Sequence, residues 1–147
     1  MNGVKMSSCK FYVNEQERVV ICVIPHTKNM LKQFVMEHFQ WDDIDLAFSP
    51  NWHFNNKLAM PSSFMGKAVC SPEDEWDEAL GRKIAFSRAK DKCYKSFFKR
   101  ANLLVQTIDK RLGDMITTFN DFGLKLDKKR EALENDIKSV IKKEGDA

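Results

Sequence analysis

Few side chains in this 147-residue chain stand at spacings that do chemistry. His26, His38 and His53 lie far apart, and none sits with Cys, Asp or Glu at the spacing of a zinc site. Asp42, Asp43 and Asp45 form an acidic cluster of a type that binds divalent ions, although solvated or capping carboxylates are the plainer reading. Cys70 precedes a helix-start pattern, where reactive thiols occur, yet no motif places a base beside it. A packed strand cysteine is the simpler account. The six glycines are not clustered, so no phosphate-binding loop is present. The expectation is a protein without an active site, a metal or a cofactor.

Two other groups of residues suit binding rather than catalysis. Between residues 82 and 111 stand Arg82, Lys83, Arg88, Lys90, Lys92, Lys95, Lys99, Arg100, Lys110 and Arg111, against only Asp91 and Asp109. At about 100° per residue, Arg88, Lys92, Lys95 and Lys99 share one helical face, opposite an apolar stripe. Such a ridge fits a nucleic-acid backbone or an acidic protein partner; it equally fits the solvated face of an amphipathic helix. No aromatic residue stands on it, which argues against stacking on single strands. The second group lies in residues 40–65, a Pro-, Asn- and Ser-containing stretch that holds Trp41, Phe48, Trp52 and Phe54. These side chain types are enriched at interface centres, so the segment reads as a protein-binding loop or, more plainly, as a core-covering loop with a strand near 44–48.

The elements that position these residues follow from periodicity. Residues 9–25 read as a hairpin, turning at Asn14-Glu15-Gln16-Glu17 and continuing into the β-branched run from Val19 to Ile24, which suits a central strand. Met30, Leu31, Phe34, Val35 and His38 give a short helix capped by Thr27 or Asn29. Residues 66–70 predict a strand. Ser71-Pro72-Glu73-Asp74 predicts a single helical turn over 72–76, and Asp77 caps the main helix from about Glu78. Trp76, Leu80 and Ile84 then stand where they would pin that helix to the sheet, and Gly81 implies a close approach to a strand.

Beyond it, Phe86, Cys93, Phe97, Ala101, Leu104 and Ile108 continue as an apolar stripe. The seam runs on through Leu112, Met115, Phe119, Phe122, Leu126, Leu133, Ile137 and Val140, with Arg130 as its gap. Arg111-Leu112-Gly113-Asp114 resembles a helix end followed by a new cap, and Phe119-Asn120-Asp121-Phe122-Gly123 resembles a turn; the second is the favoured break, which predicts an antiparallel helical hairpin or two helices packed on the domain. A parallel or antiparallel coiled coil between chains is the close alternative, because so long a seam needs a partner.

Gly66, Ala68, Cys70, Pro72, Asp74, Trp76, Asp77, Gly81, Ile84, Ala85, Arg88 and Ala89 form a pattern across about a fifth of the chain. This stretch resembles small uncharacterised proteins of tailed phages and prophages of Gram-positive bacteria. The resemblance implies a phage or mobile-element origin and carries no activity or functional residues.

Composition bounds the rest. The chain is 43% hydrophobic, enough to fill one core, and its net charge of +3 argues against an acidic mimic of DNA. Cys9, Cys22, Cys70 and Cys93 are scattered, and no apolar run reaches membrane length, so a reduced cytosolic protein is the expectation; the resemblance implies that this cytoplasm is the host's. The fold class expected is α+β: a small antiparallel sheet (hairpin 9–25 plus strand 66–70) packed by a long helix, with a C-terminal helical hairpin or coiled-coil-like extension. Its domains would be an α+β domain over 1–112 and a helical extension over 113–147. The function expected is a non-enzymatic phage accessory protein that binds and modulates a host protein, for instance as an anti-CRISPR-like inhibitor of a defence system. The alternatives are a small nucleic-acid-binding protein using the basic helix, or a helical phage assembly component. Homo-oligomers would form through the C-terminal helices.

Overall fold

The computed structural model describes residues 3–39 and 59–146. The fold is α+β, a three-stranded antiparallel sheet packed against a long helix. Among the described residues the elements are, in chain order, a 3-10 turn (Met6–Ser8), β1 (Lys10–Asn14), β2 (Val19–Pro25), α1 (Met30–His38), β3 (Ser63–Val69) and α2 (Glu78–Gly145). The β-branched run forms β2 and takes the centre of the sheet, in the order β1-β2-β3. The registers pair Tyr12 with Ile21 and Ile21 with Lys67. The β1–β2 turn is held by Asn14, whose Oδ1 accepts the Glu17 N–H at 3.1 Å. It closes on Arg18, a left-handed residue with φ 54°.

Alternation along β2 gives the sheet two unlike faces. Val20, Cys22 and Ile24 point inward and are buried, together with Gly66 and Ala68 of β3. Leu31 and Val35 of α1 and Met60 join this core, and Phe34 meets Phe97 edge-on at 5.5 Å. The contribution of α2 is a stripe repeating every four residues: Gly81, Ala85, Ala89, Cys93 and Phe97. Ala85, Ala89 and Cys93 have no exposed surface.

Small residues let the helix lie against the strands. A Cβ on Gly66 would stand 2.0 Å from the Ala85 carbonyl oxygen and 2.4 Å from the Ala89 nitrogen. One on Gly81 would stand 2.8 Å from a Val20 methyl. The close approach expected at Gly81 is present. The expected pin is not: Trp76 is only half-buried, while Leu80 and Ile84 are exposed. A sheet lined by Gly66, Ala68 and Cys22 admits a small-residue helix face, and the bulkier stripe is turned aside.

The helix begins at Glu78 as expected, with Leu80 N donating to Asp77 Oδ1 at 2.9 Å. Residues 72–74 form a turn rather than a helical turn, and β3 is longer than expected, ending at Val69 so that Cys70 follows it. No break occurs at Phe119–Gly123: α2 is one helix to Gly145, and no glycine has positive φ. Gly113 and Gly123 each cost about 1 kcal/mol relative to alanine, too little to end a helix flanked by good formers. The chain divides into two compact units, Met1–Gln106 and Thr107–Ala147. The first holds the sheet and α1; the second is helix, with its side chains largely exposed.

Candidate functional site

The ridge cations do not form a free row. Arg88 Nη1 donates to the Lys67 carbonyl at 2.7 Å, and Lys92 Nζ to the Met65 carbonyl at 2.9 Å. The ladder explains why those carbonyls are available. Cys70 N bonds to Arg18 O, and antiparallel pairing alternates, so the carbonyls of Met65 and Lys67 point away from β2, off an edge of β3 that pairs with no other strand among the described residues. Arg88 and Lys92 thus occupy an edge that would otherwise template another strand. They flank the packed stripe rather than oppose it, each lying three residues, or roughly 60°, from Ala85 and Ala89. Lys95 pairs with Asp91 at 2.7 Å, and Lys99 is exposed.

The other candidates scatter. Trp41, Phe48, Trp52 and Phe54, with Asp42, Asp43, Asp45, His53 and the strand expected near 44–48, lie outside the described residues. His26 is exposed, and His38 stacks on Phe34 with Nδ1 2.9 Å from the Phe34 carbonyl. Among the described residues no group of His, Cys, Asp or Glu is placed to hold a metal ion, and no helix is long and apolar enough to cross a membrane.

All four cysteines are free. Burial, with Cys9 alongside, pushes the Cys22 thiol up to about 12, and burial raises Cys93 as well. Neither is a poised nucleophile. Cys70 instead belongs to a structural knot. Arg18 Nη2 reaches Cys70 Sγ at 3.1 Å, the Ser71 carbonyl at 2.8 Å and the Asp74 carbonyl, tying the hairpin turn to the turn before α2. Arg18 carries no signal of this role in the sequence, where nothing local distinguishes it from a surface arginine.

Among the described residues two apolar surfaces are open. The outer face of the sheet is made by Tyr12 of β1, Val19, Ile21 and Val23 of β2, and Met65 and Val69 of β3. Tyr12, Met65 and Val69 are 59%, 53% and 61% exposed, and the β2 residues are half-buried between them. Lys10 and Lys67 stand on the same face. The second surface is the seam of α2. Leu112, Met115, Phe119, Phe122, Leu126, Leu133, Ile137 and Val140 are each 43–70% exposed. Exposed apolar area on this scale marks interaction sites in soluble proteins. No family model, curated protein or solved structure matches the chain.

Proposed function

We propose that the chain is a non-enzymatic accessory protein of a phage or prophage, which acts in the host cytoplasm by binding a host protein and modulating it. A component of a bacterial defence system is the kind of target such a protein serves. The phage origin rests on the resemblance of residues 66–89. The binding reading rests on one observation, the open outer face of the sheet. Three strands present Tyr12, Met65 and Val69 around a half-buried β2, with Lys10 and Lys67 beside them. The complementary partner is a protein surface with an apolar centre and a carboxylate rim.

Nucleic-acid binding through the basic helix ranks second. Arg88 and Lys92 are hydrogen-bonded to β3, and Lys95 is paired with Asp91. Phosphate contacts by these three would replace contacts they already make.

The test is affinity capture from host lysate with and without nuclease, using wild type, a Tyr12→Asp/Met65→Asp variant and a Leu126→Asp variant. The expected result is a partner that survives nuclease, is lost with the sheet-face variant and is kept with the Leu126 variant. Capture abolished by nuclease and indifferent to the sheet-face change would replace this reading with the nucleic-acid one.

A further inference from the structure

Because α2 runs unbroken to Gly145, its apolar seam is continuous, and the positions of its members carry more information than their hydrophobicity. Counting Arg130 as the seam position between Leu126 and Leu133, the steps from Ile108 are four and three in alternation as far as Phe122. Two successive steps of four then centre on Leu126, and the alternation resumes to Glu144. This doubled step is a stutter, which locally unwinds a coiled coil. Two helices pack along such a seam only when their stutters coincide, so Leu126 of one must face Leu126 of the other. The step pattern also reads the same in both directions from Leu126.

We infer that residues 108–144 of two copies pair as an antiparallel coiled coil centred on Leu126. The reversed pairing sets Phe119 against the second copy's Leu133, Met115 against its Ile137 and Leu112 against its Val140. In these three layers Phe119 meets a smaller Leu, Leu112 a smaller Val and Met115 a branched Ile, as interdigitating layers require. Each of these layers also joins an a position to a d position, the arrangement of antiparallel pairs.

Arg130 decides the orientation. In a parallel pair it would face its own copy, placing two guanidinium groups in one layer, and Phe119 and Phe122 would each face themselves. In the antiparallel pair Arg130 faces the ring of Phe122, a cation–π partner. Its charge is already accompanied on its own helix, with Asp127 at 3.8 Å and Glu134 at 3.9 Å. The buried area is also sufficient. Eight apolar side chains exposed by 43–70% offer on the order of 800 Å² per chain, the size of a standard stable interface. This inference is independent of the sheet-face reading, since it uses no residue of the sheet.

The experiment uses the full chain. Sedimentation equilibrium of wild type is expected to give a dimer, and Leu126→Asp a monomer whose thermal transition for the sheet-bearing unit is unchanged. Orientation is then read by disulfide trapping in a Cys9→Ser/Cys70→Ser background. Met115→Cys alone is expected to give no covalent dimer. Met115→Cys mixed with Ile137→Cys is expected to give the mixed dimer, and Leu126→Cys alone a homodimer. A wild-type monomer throughout the micromolar range, a higher oligomer, or efficient trapping of Met115→Cys alone would each overturn the inference.

Discussion

Replacing Gly66 with alanine tests the packing of α2 on the sheet at its tightest point. Two effects oppose each other. Alanine restricts the unfolded chain and, at a tolerant site, stabilises by about 0.4–1 kcal/mol. Here, however, the new Cβ would lie 2.0 Å from the Ala85 oxygen and 2.4 Å from the Ala89 nitrogen. Both atoms are helix backbone and have no rotamer by which to withdraw. The helix must retreat by roughly 1 Å, and a gap of that size forfeits a quarter to a half of the dispersion energy along its lining. Overpacking of this kind costs about 1–3 kcal/mol, and with two backbone clashes the upper end applies. The net expectation is a loss of about 2–3 kcal/mol, or a fall in Tm of roughly 10 °C or more for a unit of this size. Urea and thermal denaturation followed by circular dichroism measure it, with Gly123→Ala as the internal control. Gly123 has nothing within 4 Å of its Cβ position, so that change is expected to stabilise by up to about 1 kcal/mol. A Gly66→Ala protein as stable as wild type would refute the close contact between α2 and β3.

Trp76→Ala is expected to cost about 1–2 kcal/mol rather than the roughly 3–5 of an emptied aromatic core site, since Trp76 is half-buried; chemical denaturation decides between the two ranges. Arg88→Gln/Lys92→Gln is expected to leave the fold intact while exposing the edge of β3, so light scattering on prolonged incubation should rise above wild type. For pH, the folded Cys22 thiol stands at about 12 against an ordinary 9.0. Its stabilising effect is complete below pH 9 and is lost as pH rises from 9 towards 12, where the unfolded thiol ionises first. Stability measured across that window should fall, and should fall less in Cys22→Ala.

Local chemistry was legible where one residue decides the outcome. Asp77 as the cap of α2, Asn14 at the hairpin turn and the β-branched run of the central strand all follow from side chains acting on their own backbone. The choice between two helical stripes was not local. Trp76, Leu80 and Ile84 carry more apolar area than Gly81, Ala85 and Ala89 at the same period, and area alone favours them. What reverses the preference is Gly66, on a different element, because it brings backbone against backbone and leaves room only for small side chains. The turn expected at Phe119–Gly123 failed for a quantitative reason, since one helical glycine costs about 1 kcal/mol and its neighbours support the helix.

The basic ridge shows why its role could not be read from charge. Its four members do share a helical face, but the packed stripe beside them is set by Gly66, Ala85 and Ala89, which brings Arg88 and Lys92 over the edge of β3. Hydrogen bonds to Lys67 and Met65, 21 and 27 residues earlier in the chain, then commit those two side chains to the sheet. The same commitment constrains the proposed partner. A chain approaching β3 edge-on meets carbonyls that are already occupied, so strand addition there would have to displace two charged donors. The outer face asks for no such displacement: Tyr12, Met65 and Val69 present side chains rather than backbone. A partner recognised there is selected by the shape and charge of its surface, which is why the sheet-face variant carries the test of function.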